Sequence, residues 1–109
     1  MQRVVITGTG WVTPMGHDIE SVWARLLRGE SGIDRTTLFD ASTFPTRISA
    51  EVKNFNLADH VPSTRGHEAA GRNTQFALAA AAQAWRAAGL PPLGGSSPSL
   101  DLDRVGIYL

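Results

Sequence analysis

Arg3-Val4-Val5-Ile6-Thr7-Gly8-Thr9-Gly10-Trp11-Val12-Thr13-Pro14-Met15-Gly16 is the stretch on which the reading of this 109-residue chain turns. Its β-branched run suits a strand buried on both faces, and the closely spaced glycines predict an exit loop with unusual backbone angles. A strand that leaves a sheet this way and is followed by a helix is an α/β signature.

Two phosphate-binding motifs open similarly. A dinucleotide fingerprint needs a third small residue three places after Gly10, with the helix already opening there. Thr13 occupies that position, and Pro14 and Gly16 delay any helix. A P-loop needs Gly-Lys-Ser/Thr, which does not follow. Nucleotide binding is therefore not the reading of this loop.

Outward from the loop, Asp18 is placed to cap a helix in which Ile19, Val22, Trp23, Leu26 and Leu27 form one stripe and Gly29 the stop. Trp23 is the expected anchor of that stripe, worth about 3 to 5 kcal/mol on truncation if fully buried. Residues 30–45 hold no period and predict a structured loop, with Leu38, Phe39 and Phe44 tucked against the body. Thr46 to Lys53 alternates and predicts a half-exposed strand, with Ile48, Ala50 and Val52 inward and Arg47, Ser49, Glu51 and Lys53 outward. Polar turns fill Pro62 to Gly71.

The most legible helix runs from Arg72 or Asn73 to Ala88, ended by Gly89 and Pro91-Pro92. Gln75, Gln83 and Arg86 lie near one narrow stripe through Ala79, and alanine fills most of the rest. A helix apolar nearly all round predicts cover nearly all round, and small side chains let neighbouring backbones come close. Leu93 to Asp103 reads as a Gly/Ser/Pro loop and Arg104 to Leu109 as a second buried strand. An apolar strand without a turn after it predicts that residues 1–109 are a segment of something larger.

Composition narrows the function classes. Ten basic and ten acidic residues cancel, so the basic field of a nucleic-acid binder is missing. There is no cysteine, which excludes disulfides, thiolate metal ligands and a thiol nucleophile within these residues. The opening has neither a secretory apolar region nor a membrane span, and a cytoplasmic location is the expectation. His17, His60 and His67 have spacings that match no local metal-ligand pair, and solvated or capping roles are expected of them.

Several pieces in order carry a family resemblance. The opening Gly-x-Gly, two apolar residues and Thr-Pro-x-Gly resembles that of the elongating β-ketoacyl-acyl carrier protein synthases of the KAS II type. So do Gly29, Ser31, Gly32 and Ile33 at the first helix exit, and Val52, Lys53, Phe55 and Asn56 at the strand end. The Thr74-Gln75-Phe76-Ala77 helix and Arg104-Val105-Gly106 fall in register with the same family.

The resemblance implies the N-terminal part of a thiolase-like five-layer αβαβα fold, an active homodimer and no cofactor or metal. It implies decarboxylative Claisen condensation, with acyl and malonyl thioesters on an acyl carrier protein, in fatty acid or polyketide synthesis. The family's cysteine and two histidines lie beyond these residues, so no catalytic residue is expected here and the segment alone is expected to be inactive. Basic residues before the second long helix help dock the acidic carrier protein in this family. Arg65 is kept from that cluster and Arg72 is a further candidate, whereas Glu68 and Ala69 stand at positions that would be basic and Ala70-Gly71 replace a Met-Asp pair. The altered cluster leaves open a non-condensing, chain-length-factor-like subunit of a heterodimer, and a stand-alone α/β binding module is a third reading.

Overall fold

The computed structural model describes residues 3–92 and 100–108. Helix α1 (Ile19–Leu27) is followed by a two-stranded antiparallel ladder, β1 (Asp34–Arg35) with β2 (Ile48–Ser49). A single 3-10 turn at Leu57–Asp59 precedes the long helix α2 (Arg72–Ala87), and another lies at Leu102–Arg104.

Local chemistry sets both helix ends. Asp18 caps α1, its carboxylate accepting from Ser21 N at 2.8 Å and from Ser21 Oγ at 2.7 Å, which satisfies one of the helix's orphan donors. Gly29 and Gly89 both have φ of +67°. Each allows the six-to-one closing bond of a left-handed helix stop, Glu30 N to Arg25 O and Leu90 N to Trp85 O. Glu30 then receives Arg25 and Arg28 at 2.6 Å each.

The buried side of α2 is its alanine stripe: Ala79 is 0% exposed, and Ala82 is buried. The backbone around Gly8 and Gly10 lies against this helix. A Cβ at Gly8 would overlap the Ala84 carbonyl, and one at Gly10 would overlap the Ala80 carbonyl and meet Gln83 Cβ at 2.8 Å. Two extended residues advance about 6.7 Å and four helical residues about 6 Å. The Gly-x-Gly spacing therefore steps in register with successive turns of α2. These glycines serve close backbone packing.

Four expectations of pairing and burial are corrected. Residues 3–10 and 105–108 form no ladder, and their apolar side chains are exposed, Val4 at 94% and Tyr108 at 97%. An isolated β run has no partner for its amides or its faces, and the described residues supply none. Trp23 is 55% exposed, because Val22, at 3%, is the residue α1 turns inward. The alternation at 46–53 holds only in part: Arg47 and Lys53 are exposed and Val52 half-buried as expected, but Ile48 and Ala50 are exposed, while Glu51 is 7% exposed and fully hydrogen-bonded.

Leu38, Phe39 and Phe44 likewise stay outside, with the two phenyl rings edge to face at 5.6 Å, packed on each other. Ala41 takes the buried place in that loop. The radius of gyration is 17.1 Å, against about 13 Å for a compact domain of this size. Among the described residues no helix is long and apolar enough to cross a membrane.

Candidate functional site

The loop at Trp11–Asp18 is the best-tied part of the surface. Thr13 and Gly16 exchange backbone bonds, N to O at 2.8 and 3.1 Å, and Thr13 Oγ1 accepts from Met15 N at 3.1 Å. The Thr-Pro-x-Gly sequence makes this tight because Pro14 presets φ and Thr13 supplies a short hydroxyl.

Both helices then hold the loop. From α1, Arg25 Nη1 donates to Met15 O at 2.5 Å. From α2, Gln83 Oε1 accepts from Trp11 N at 3.2 Å, while its Nε2 donates to Trp11 O at 3.2 Å and to His17 O at 2.6 Å. One amide side chain thus satisfies three backbone groups of a segment more than sixty residues away. Sequence reading placed Gln83 on the polar stripe of α2 but had no signal for its partner.

Beside the loop is a cleft of about 510 Å³ lined by Pro14, His17, Arg25, Ser31, Asp34 and Lys53, among others. Lys53 Nζ pairs with Asp34 Oδ2 at 2.8 Å, which holds the Lys53 pKa up and the Asp34 pKa down. Glu51 lines the same cleft. Its carboxylate accepts from Thr37 Oγ1 at 2.7 Å, from Thr37 N at 2.9 Å and from Leu38 N at 3.1 Å. These bonds, Thr37's hydroxyl first, lower its pKa to about 2. A carboxylate so thoroughly engaged is a brace for the 37–39 loop and is poorly placed to move protons at neutral pH.

The histidines are packed. His17 and His60 both meet the Phe55 ring, at 5.4 Å each, edge-on for His17 and stacked for His60. Phe76 of α2 meets Phe55 edge to face at 4.9 Å. Both imidazoles are half-buried against Phe55, 38 residues from His17 and five from His60, so neither is fully solvated, while the capping role expected among these residues is seen at His60, which ends the Leu57–Asp59 turn. His67 instead sits within two consecutive turns, donating from N to Thr64 O at 2.9 Å and accepting Ala70 N at 3.1 Å. Among the described residues no three His, Cys, Asp or Glu side chains converge as metal ligands would.

The two candidate docking arginines differ in freedom. Arg65 is exposed and takes part in no ion pair among the described residues, its backbone N donating to Ser63 Oγ at 3.2 Å. Arg72, at the start of α2, donates from Nη2 to Val52 O at 2.6 Å and lies over the Phe76 ring at 5.1 Å. Its charge is on the surface but its geometry is committed. Glu68, between them, is turned back onto Gly66 N at 2.9 Å. Arg86 lies on the other side of the 60–62 turn, donating to His60 O at 2.8 Å.

Comparison with known proteins supplies the frame for these features. The family model described as the β-ketoacyl synthase, N-terminal domain matches residues 1–109. A 3-oxoacyl-[acyl-carrier-protein] synthase 2 of Coxiella burnetii is 45% identical over 108 residues, covering 99% of this chain and 25% of that protein. The protein of the same name in Staphylococcus aureus strain N315 is 34% identical over the same proportions. Among solved structures, the ishigamide ketosynthase/chain length factor matches with a TM-score of 0.70 and 33% identity, over 80% of this chain and 21% of that one. The chain thus spans about a quarter of the length of these curated relatives.

Proposed function

Since the chain belongs to the β-ketoacyl synthases through their N-terminal domain, we propose that it is the opening segment of the first half of an acyltransferase dependent on an acyl carrier protein. Its fold is α/β, the N-terminal part of the thiolase-like architecture. The observation that carries the proposal is the family match over residues 1–109, together with relatives named 3-oxoacyl-[acyl-carrier-protein] synthase 2 at 45% and 34% identity.

The whole protein joins an acyl thioester to the carbanion left when malonyl-carrier loses carbon dioxide, in fatty acid or polyketide assembly, as a cytoplasmic homodimer. With no cysteine, residues 1–109 cannot carry the acyl group on a thiol. Their part is to build the scaffold and to receive the carrier protein. Arg65 is the docking contact best suited to an acidic partner, because it is exposed and unpaired among the described residues. Arg72 adds charge at the same helix entrance but less contact, being held on Val52 and Phe76.

Two experiments test this. The whole protein should form product from acyl and malonyl carrier protein while the isolated segment should not, and covalent acylation with turnover by the segment would overturn the scaffold assignment. In the whole protein, Arg65→Glu should raise KM for the acyl-carrier substrate about 3- to 10-fold with kcat held, as loss of electrostatic steering does. An unchanged KM would remove Arg65 from the docking surface.

The likeness to a ketosynthase/chain length factor favours one second reading, a non-condensing subunit of the same fold that acts by shaping a heterodimer. A nucleophilic cysteine in the remainder of the whole protein supports the enzyme, and its replacement supports the subunit.

A further inference from the structure

His17, Phe55 and His60 join three segments that are distant in sequence. His17 ends the Thr13–Gly16 turn, and its carbonyl is held by Gln83 of α2. His60 caps the Leu57–Asp59 turn, its N donating to Leu57 O at 3.0 Å. Phe55 forms the third corner of a triangle of rings with them and lies against Phe76 of α2. The two imidazole centroids are 6.0 Å apart, edge to face. Each ring is half-buried, and the contact between the turns runs through these rings and Phe55.

We propose that this His17–Phe55–His60 group is a pH-sensitive clasp, closed when the His60 imidazole is neutral and loosened when it takes up a proton. A charged imidazole there gives up hydration for the face of a phenyl ring and stands 6.0 Å from a second titratable imidazole. Arg86, whose guanidinium is bound to the His60 carbonyl, opposes the charge from the α2 side. Asp59 on the same turn and Asp18 at the cap of α1 favour it, and Phe55 offers some cation–π attraction. The balance runs against protonation: burial first and His17 second hold the His60 pKa below its ordinary value.

The sign follows. The unfolded or opened imidazole binds a proton at higher pH than the closed one, so closure is favoured above about pH 6.5 and weakens as pH falls through the lower closed-state pKa. The consequence is mechanical. Gln83 ties the His17 backbone to α2 and Arg86 ties the His60 carbonyl to the same helix, so opening the clasp parts the rings and loosens the 57–61 turn about that second anchor while the Thr13–Gly16 turn stays attached.

Amide hydrogen exchange on the intact protein between about pH 7.5 and about pH 5.5, corrected for the chemical exchange rate, tests this. Protection over residues 57–61 should fall by about threefold or more towards the acid end while that of Trp11 holds. His60→Phe, which keeps a stacked ring without a proton site, should abolish the pH dependence. A 13C titration of the wild-type imidazoles keeps the proposal falsifiable should that variant fold poorly, and His60 should titrate below about 6.5. Protection independent of pH, an unchanged pH dependence in His60→Phe, or a His60 midpoint at or above that value would overturn the clasp.

Discussion

Gly10→Ala tests the packing of the opening segment on α2. The added methyl would overlap the Ala80 carbonyl and stand 2.8 Å from Gln83 Cβ, where ordinary carbon contacts need about 3.5 to 4 Å. The first obstacle is helix backbone and cannot rotate away, so the segment must retreat by on the order of 1 Å. Such a shift stretches the two 3.2 Å bonds between Gln83 and the Trp11 backbone beyond hydrogen-bonding range. Each lost bond costs about 1 kcal/mol net, and overpacking adds about 1 to 3 kcal/mol. The expected destabilisation is about 3 to 5 kcal/mol, local to this contact.

Amide exchange at Trp11 in the intact protein reads it directly, since that N–H donates to Gln83. Exchange should accelerate about 100-fold or more, and the urea midpoint should fall. Gly71→Ala is the control, because Gly71 has φ of −60° and no neighbour within 4 Å of a new Cβ. It should stay within about 0.5 kcal/mol of wild type. A Gly10→Ala protein with the Trp11 exchange and urea midpoint of that control would refute the close-approach argument.

Gln83→Leu keeps the volume of the side chain but leaves three backbone groups of Trp11 and His17 without their partner. It should lower local stability by about 2 to 4 kcal/mol, seen as faster exchange over residues 11–17 with α2 unaffected. Glu51→Gln should be less stable than wild type at pH 7. Because the folded-state pKa of Glu51 is lowered from 4.5 to about 2, its stabilisation is complete above 4.5 and lost as pH falls towards 2. Thermal melts of the two proteins should therefore converge on acidification, and an equal gap at pH 7 and at about pH 2 would count against the brace. Asp18→Ala should cost about 1 kcal/mol by uncapping α1, with Asp18→Ser restoring most of it, as the exchange of the α1 amides would report.

The helices were legible because their signals are local. Asp18, Gly29 and Gly89 act on backbone within a few residues, so the α1 cap and both helix stops follow from neighbouring chemistry alone. The family resemblance was legible for a related reason: short motifs in a fixed order survive as text. Burial was less legible. The alternation at 46–53 predicted Glu51 outside, but the amides of Thr37 and Leu38 converge on its carboxylate and repay its desolvation. Nothing within eight residues of Glu51 announces those donors. Trp23 failed in the opposite sense, since hydrophobic spacing names a stripe but not which residue of it points inward.

The candidate site divides the same way. Arg65 and Arg72 were picked out by position before a helix, yet only the fold separates an exposed guanidinium from one laid on Val52 and Phe76. His17 and His60 are more than forty residues apart, and only the tertiary contacts of their rings with each other and with Phe55 make them a pair.

Residue order by itself determined the helix limits, the absence of a thiol nucleophile and the ketosynthase kinship, because capping, composition and motif order are properties of the chain. Tertiary structure decided what the glycines are for. Gly8 and Gly10 predict only an exit loop with unusual backbone angles in one dimension, and become a seat for the alanine face of α2 only when a helix some seventy residues later lies across them. The physical reason is excluded volume between backbones, a quantity that depends on where two distant segments meet.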